Sequence, residues 1–330
     1  MSRWIALSDQ PPLPGSPGAG PVAQGTLVVE IDLPLAGAGV LLDMRVQGGT
    51  GEEVALSLFH DLGAGIALMH RRGGRVVRHL LPGPLWQKTG VAQLSFGWDM
   101  GQRRWSMELE QGGQRLAAGG DGPLAMDLAD LCRLCAGGEG VRRHPAVLWF
   151  GVAPGRVLPG PLAWIGVATP VETPRGPVAA GTLRPGDRVM TRDQGAVPLV
   201  GVTRLSVPSR GSFAPVRLRA PYYGRRMDIL VSPDQPVWVS GPQAEYLFGD
   251  EEVLVLARHL VDGQMALADQ RRAAAVGVVL DLGLAELIEA DGCLLGTTGS
   301  ESMASARRVL DPFEVVPLRQ ALSLTQRRAV

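Results

Sequence analysis

The chain has 330 residues, of which 45% are hydrophobic, so it can bury the core of one large domain or of two ordinary ones. Its 32 basic residues balance 32 acidic residues, and the arginines are scattered, which argues against nucleic acid or an anionic membrane surface as a partner. The 3 cysteines are too few for a disulfide framework, and no stretch approaches the roughly 18 apolar residues of a membrane span. Two soluble domains are therefore expected.

The first 22 residues are expected to form a flexible segment without a targeting signal. Residues 1–6 contain one arginine and a very short apolar run, and residues 10–20 are rich in proline and glycine. Neither the hydrophobic region nor the cleavage site of a secretory signal is predicted from this pattern. The sequence indicates a cytoplasmic protein, or one exported by a route other than the Sec pathway.

Hydrophobic and polar residues alternate in short runs through the first half of the chain. The runs cover residues 26–33, 40–46, 54–60, 66–70, 75–80, 91–98 and 104–109, and glycine, aspartate or proline separates them. Short strands with frequent turn signals are typical of an antiparallel sandwich of the jelly-roll kind. We predict such a sandwich over residues 23–153, in a chain that is all-β.

A turn-rich hexapeptide separates Trp98 from Trp105. It can join two strands as a hairpin and place both indoles near the same end of a sheet. This tryptophan hairpin resembles that of concanavalin-like or laminin-G-like jelly rolls. Trp98 and Trp105 are candidates for a sugar-stacking site, and because sandwich cores also use tryptophan, packing in the core is the favoured alternative.

The alternation stops where residues 123–135 place leucines and Cys135 at helical spacing, and two glycines follow. One short amphipathic helix is expected there, with Asp127 and Asp130 outside its apolar stripe. A strand is predicted over residues 146–152. The stretch 154–163 is rich in proline and glycine, which predicts a linker between two domains.

The cysteine and histidine patterns do not predict a metal or a cofactor. Cys132 and Cys135 form a Cys-x-x-Cys pair, but zinc needs four ligands and only one histidine follows nearby, so two buried thiols are favoured. His60, His70 and His79 fall on successive strands and can approach one another. Exposed positions at strand ends are favoured over a metal or sugar site.

The second half is again rich in predicted strands, and its tail, residues 301–330, can form one or two helical turns over residues 318–324. The strands are expected at residues 166–171, 188–191, 197–205, 216–218, 227–231, 237–239, 253–257, 274–280 and 286–290. No internal repeat or coiled-coil heptad accompanies them. We expect a second all-β domain over residues 164–300.

Four segments of this half follow one another in a defined order. They are Ala168 to Gly176, which ends in Thr-Pro-Arg-Gly; Leu183 to Thr191, which contains Pro-Gly-Asp; Ser232 to Val237; and Leu256 to Gly263. In this order they resemble a Hint module, the self-processing fold shared by hedgehog autoprocessing domains and inteins. The resemblance implies an acyl shift, in which a Cys, Ser or Thr side chain attacks the carbonyl just before it.

The residues that this chemistry needs differ in the chain. The resemblance places the nucleophile near Trp164, but residues 162–167 contain no Cys, Ser or Thr. It places a histidine in a Thr-x-x-His block at Gln235, whose amide cannot deliver a proton near pH 7. A further histidine of the family falls at Ala285. A positioned general acid contributes on the order of 10² to 10⁴ in rate, and without the nucleophile the covalent route does not exist.

Alternative assignments of the chemistry remain open in the sequence. Thr169 or Thr173 could serve as a hydroxyl nucleophile, although the family has structural threonines there. Asp234 could act as an acid if it were buried, and Ser232 stands where the family has threonine; His259 is expected to be hydrogen-bonded or solvated. The sequence therefore favours a Hint-type protein that is not an enzyme and acts as a structural or binding protein, without a cofactor and with an unidentified protein or glycan as partner. An active self-processing domain and a carbohydrate-binding module are the two alternatives.

Overall fold

A computed structural model of the chain describes residues 4–10, 20–49, 51–86, 88–155, 162–297 and 306–327; for residues 223 and 322–327 it describes the backbone alone. The chain divides into two compact units, residues 2–159 and 160–330. Both consist mainly of antiparallel strands, as the sequence predicts. No helix in the described ranges is long and apolar enough to cross a membrane.

The first unit is a sandwich of two antiparallel sheets. One sheet has the strand order β1-β13-β3-β8-β9-β10 and the other β12-β4-β5-β6-β7, while β2 and β11 form a small ribbon. The elements are β1 (Ala6–Leu7), β2 (Pro21–Val22), β3 (Gln24–Leu33), β4 (Gly39–Gln47), β5 (Glu53–Asp61), β6 (Gly65–Arg72), β7 (Arg75–Pro82), β8 (Gly90–Asp99), β9 (Arg104–Gln111), β10 (Gln114–Asp121), β11 (Met126–Asp127), α1 (Leu128–Ala136), β12 (Val141–Arg143) and β13 (Val147–Pro154).

Side-chain alternation builds the core between these sheets. In β8, Ala92, Leu94, Phe96 and Trp98 point inward and are buried, and the residues between them face outward. Each fully buried leucine or phenylalanine contributes roughly 1.5–3 kcal/mol relative to an exposed one. The eight predicted strands of this unit are present, each within three residues of its expected bounds.

Two expectations for the first unit are wrong, and one long strand was not predicted. The helix begins at Leu128, because Met126 and Asp127 pair with β2 as a strand instead. Asp130 is buried although it was expected outside the apolar stripe, and burial together with Asp127 raises the pKa of its carboxyl. The sequence did not predict β10, because its exposed face and its two glycines give a weak apolar alternation.

The histidines of the sandwich also differ from expectation. His60, His70 and His79 are each 3% exposed, and none is an exposed strand-end residue. His79 lies beside the rings of Phe96 and Trp105, with centroid distances of 5.1 and 4.7 Å. The imidazoles therefore belong to the core of the sandwich.

The second unit packs two antiparallel sheets around a second core. Their orders are β19-β25-β14-β21-β20-β24 and β16-β15-β26-β27-β22-β23, and β17 joins β18 to β26. The elements are β14 (Ile165–Gly166), β15 (Pro170–Val171), β16 (Val178–Ala179), β17 (Arg188–Thr191), β18 (Gly195–Pro198), β19 (Gly201–Pro208), β20 (Val216–Leu218), β21 (Ile229–Val231), β22 (Pro236–Ser240), α2 (Pro242–Phe248), β23 (Glu252–Leu256), α3 (Ala257–Leu260), β24 (Ala266–Ala268), β25 (Ala274–Asp281), β26 (Leu287–Ala290), β27 (Cys293–Gly296) and α4 (Pro312–Arg327).

Two predicted strands of this unit are split, and the tail is more helical than expected. The run 166–171 becomes β14 and β15, because the Thr169 amide donates to the Gly166 carbonyl and turns the chain. The run 197–205 becomes parts of β18 and β19. Helix α4 extends from Pro312 to Arg327, well beyond the expected one or two turns. Its apolar Val315 and Leu318 enter the core, which explains the greater length.

Candidate functional site around residue 164

Residue 164 lies at the entry to β14, in the middle of its sheet. The backbone amide of Trp164 donates to the Ser232 hydroxyl at 3.3 Å, and the Ser232 amide donates to the Trp164 carbonyl at 2.8 Å. Ser232 thus holds both polar groups of the residue 164 backbone. The structure brings these two sequence-predicted positions together.

The side chain of Trp164 packs in a small apolar cluster. The indole of Trp164 is 4% exposed and lies over Gly277 of β25. A methyl group on Gly277 would lie 2.3 Å from the indole Cε3 atom, so only glycine leaves room for the ring. Leu205 and Ala275 complete the cluster. An indole has no nucleophilic hydroxyl or thiol, and its N–H is a donor only.

A tight turn places Gln235 beside residue 164. Its backbone amide donates to the Ser232 carbonyl at 3.1 Å, which closes the Ser-Pro-Asp-Gln segment. Its side-chain nitrogen donates to the Gly296 carbonyl at 2.7 Å and to the Pro236 carbonyl at 3.2 Å. A glutamine amide has two hydrogens, so both are used, and the bond to Gly296 ties the start of β22 to β27.

Little space is left between these residues. Trp164, Gln235 and Thr297 line a cavity of about 20 Å³. That volume accommodates about one water molecule and no substrate. Any chemistry in this cavity would therefore act on the chain itself.

Asp234 is poorly suited to act as a proton donor. Its carboxylate forms an ion pair with the guanidinium of Arg258 in α3. An ionised carboxylate accepts hydrogen bonds but has no proton to give. Next to this pair, burial and then the charge of Arg258 lower the pKa of His259, which is half-buried.

The two threonines that could act as nucleophiles lie elsewhere. Thr169 is buried in the turn after β14, where its carbonyl accepts from the Ala180 amide at 2.8 Å, and it lines a different cavity. The hydroxyl of Thr173 donates to the Gly176 carbonyl at 2.6 Å within its own loop. The structure therefore does not bring Thr169 or Thr173 together with Gln235.

Ala285 adjoins a buried polar contact that the sequence did not predict. The residue after it, Glu286, is 3% exposed, and its amide donates to the Thr297 hydroxyl at 3.1 Å. Thr297 is one of the residues around the cavity beside Gln235. A glutamate at the start of an apolar strand gives no sequence signal of burial, which is why this contact was missed.

A second candidate site lies at one end of the sandwich. Trp98 and Trp105 are cross-strand partners on β8 and β9, and both line a groove of about 400 Å³. Trp98 is 2% exposed and donates to the Val22 carbonyl at 2.9 Å, so its ring face belongs to the core. Gln24 donates to the Asp99 carboxylate at 3.0 Å at the rim of this groove.

The described ranges contain neither a metal-binding cluster nor an activated thiol. These ranges hold no group of three His, Cys, Asp or Glu side chains that could bind a metal ion. Burial lowers the pKa of His70 and of His79 to about 4 each, so both imidazoles are neutral at pH 7. Burial raises the pKa of the Cys132 and Cys135 thiols and raises that of Cys293 to about 12. These thiols are protonated and unreactive near neutral pH.

Comparison with known proteins assigns a family to part of the chain. Residues 167–301 match the family model of the Hint domain. No protein of curated function matches the chain in sequence.

Several solved structures align with the chain at low identity. Ruminococcus gnavus IT-sialidase CBM40 is 13% identical, with a TM-score of 0.26, and the alignment covers 41% of this chain and 64% of that one. The enzymatically active domain of tailspike protein 2 of bacteriophage CBA120 is 22% identical over 31% and 16%, with a TM-score of 0.23. The CBM2 module of the evolved Dit of Lactobacillus casei BL23 phage J-1 is 13% identical over 45% and 60%, with a TM-score of 0.25. The chain covers less than two thirds of each of these chains.

Proposed function

Because the chain carries a Hint domain over residues 167–301, we propose that this domain is a structural and binding unit that does not cleave its own backbone. The observation that carries the proposal is the use of every reactive position around residue 164 for packing or for backbone hydrogen bonds. Trp164 fills the nucleophile position with a buried indole. Gln235 donates both amide hydrogens, one to the Gly296 carbonyl and one to the Pro236 carbonyl.

The Ser232 hydroxyl is the described hydroxyl that hydrogen-bonds the backbone of residue 164, which makes it a candidate replacement for the missing nucleophile. It accepts the Trp164 amide hydrogen, so its oxygen lies on the nitrogen side of the peptide bond between residues 163 and 164. A nucleophile must instead approach the carbonyl carbon of residue 163 from outside the peptide plane. The hydrogen bond therefore holds Ser232 in an unproductive position, which supports a structural role for it.

Hydroxylamine trapping tests this proposal. Wild-type chain and the Ser232→Ala variant are incubated with neutral hydroxylamine, which converts esters into hydroxamates, and peptides covering residues 155–175 are analysed by mass spectrometry. We expect no hydroxamate in either protein. A hydroxamate at residue 163 in the wild type that disappears in Ser232→Ala would establish the alternative, an active domain that uses a non-standard hydroxyl.

A carbohydrate-binding role of the sandwich is a second candidate function, and the groove beside Trp98 and Trp105 favours it. Its rim carries an amide, a carboxylate and a guanidinium from Gln24, Asp99 and Arg104, which are groups that bind sugar hydroxyls. Trp105 is half-buried, so part of its indole faces the groove. The sandwich is therefore the proposed recognition unit of the chain.

Tryptophan fluorescence titrated with a panel of glycans tests this second function. The informative variant is Asp99→Ala, because Trp98→Ala would remove a core side chain and disturb the fold. Glu110→Ala on strand β9 is the matched control, since its carboxylate is exposed and lies outside the groove. Saturable binding that Asp99→Ala weakens and Glu110→Ala leaves unchanged is expected. A panel without any saturable change would remove the carbohydrate hypothesis.

A further inference from the structure

Strand β14 fills the middle of its sheet for two residues only. It pairs with β21 at Ile165 alone, and with β25 at Ile165 and Gly166. On their other sides, β21 is paired with β20, and β25 is paired with β19 along its whole length. Among the described residues, the sheet is therefore complete at the position of β14, and no strand fills the central position beyond it.

The chain leaves this position because its backbone finds other partners. After Gly166, the Val167 carbonyl accepts from the Gly181 amide at 2.8 Å and the Thr169 carbonyl accepts from the Ala180 amide at 2.8 Å. These bonds draw the segment toward residues 180–181 and away from β21 and β25. The vacated position remains between the two strands.

A cavity of about 620 Å³ occupies this gap, which we name the β14 slot and define by residues 227–230 on one side and 274–276 on the other. Consecutive residues of extended chain point to opposite faces. A cavity lined by consecutive residues from both segments therefore lies between them and not on one face of the sheet. Strands flanking one missing strand are about 9–10 Å apart, which is the space that a single strand fills.

The charges around the slot favour an acidic occupant. Arg217 pairs with Asp228 at 3.7 Å and Arg271 pairs with Asp269 at 2.5 Å, so these charges balance. Arg272, which is exposed, lines the same cavity, and no carboxylate of the described ranges pairs with it. The Nε atom of Arg217 is buried and has no acceptor among the described residues. One unpaired cation and one unused buried donor remain for a ligand.

The rim of the slot also carries apolar surface. Met227 and Val276, one on each side, are 46% and 44% exposed. Buried apolar area contributes roughly 25 cal/mol per Å². A strand with alternating apolar and acidic side chains would thus meet the apolar rim, the guanidinium of Arg272 and the Nε donor of Arg217 together.

We propose that the β14 slot receives an extended peptide segment in which apolar and acidic side chains alternate, and which completes the sheet as an added strand. Main-chain hydrogen bonds supply affinity in this binding mode, and the alternate side chains supply selectivity. The proposal does not depend on whether the domain cleaves its backbone, because the slot and residue 164 lie at opposite ends of β14.

Fluorescence anisotropy with a labelled heptapeptide, Val-Glu-Val-Glu-Val-Glu-Val, tests the proposal on the full chain. A peptide with lysine in place of glutamate is the matched probe. We expect the glutamate peptide to bind about tenfold more tightly than the lysine peptide, and Arg272→Glu to weaken its binding about tenfold. Arg184→Glu, an exposed arginine outside the slot, should leave the Kd unchanged.

Hydrogen exchange locates the binding. The glutamate peptide should slow amide exchange in residues 227–230 and 274–276 and leave the sandwich unaffected. Three results would overturn the proposal: no saturable binding up to about 1 mM peptide, equal Kd values for the two peptides, or protection confined to other segments.

Discussion

At the scale of single residues, the described groups around residue 164 in the second unit pack against one another or form backbone hydrogen bonds. The indole of Trp164 depends on the absence of a side chain at Gly277, and Gln235 depends on two backbone carbonyls. These contacts hold each of the two side chains in a single position. These contacts therefore contribute to the stability of the second unit.

Replacing Gly277 with alanine should destabilise the second unit. The added methyl group would lie 2.3 Å from Trp164, and overpacking of this kind costs about 1–3 kcal/mol. Gly201→Ala on the neighbouring strand β19 is the control, because its nearest atom would lie at an ordinary 3.4 Å. Urea unfolding measures both. Equal stability of the two variants, or an equally large effect of Gly277→Ala in a Trp164→Ala background, would contradict this packing account.

Replacing Gln235 with leucine tests its role as a tie between strands. The Gly296 and Pro236 carbonyls would lose their side-chain donor in a buried position, which costs about 1–3 kcal/mol. Gln194→Leu, at an exposed site, should change the free energy of unfolding by less than about 0.5 kcal/mol. A Gln235→Leu protein as stable as Gln194→Leu would show that these two hydrogen bonds contribute nothing.

At the scale of elements, regular alternation was predictable and interruptions were not. Strand β8 was predictable because Ala92 to Trp98 alternate in burial as they do in polarity. The split after Gly166 was not, since Val167 to Thr169 continue an apolar pattern. The chain turns there through the Thr169–Gly166 hydrogen bond and through the amides of Ala180 and Gly181, which donate to the Thr169 and Val167 carbonyls. Such partners lie outside any local window of sequence.

The candidate site was likewise predictable only in part from the sequence. The motif order singled out Ser232 and Gln235, and the structure places both beside residue 164. It could not indicate that Thr297 and Glu286 share that region, because β26 and β27 bring them there through long-range pairing. Likewise, the burial of His70 and His79 results from packing between sheets, which the alternation within one strand does not encode.

The buried histidines predict a pH-dependent sandwich. Their pKa values of about 4 in the folded protein lie below the usual 6.5, so the unfolded chain binds more protons between pH 6.5 and pH 4. The free energy of unfolding therefore falls as the pH drops through this range, by about 2 kcal/mol per histidine at pH 5. Urea unfolding of wild type and His79→Phe at pH 7 and pH 5 measures the effect.

His79→Phe removes one titrating group and keeps a ring between Phe96 and Trp105. Its loss of stability between pH 7 and pH 5 should be smaller than that of the wild type by about 2 kcal/mol. The same loss in both proteins would mean that His79 is protonated to an equal degree in the folded and unfolded chain.

At the scale of the whole molecule, the chain joins two β units, and we propose that the joint is the stretch 154–163. Its proline and glycine content disfavours regular elements, and Arg156 is its single site for trypsin. Brief trypsin treatment should first give two fragments that separate after Arg156, and Arg156→Gln should delay that cut. An equal rate of first cleavage in Arg156→Gln would place the accessible segment elsewhere.

The intact mass of the full chain after expression and storage is the most direct test of the central claim, which is that the Hint domain does not cut its own backbone. The arrangement of Trp164, Ser232 and Gln235 predicts a single species at the mass of the uncleaved chain, unchanged after incubation with a thiol or with hydroxylamine. A fragment with a new terminus between residues 162 and 169 would contradict it.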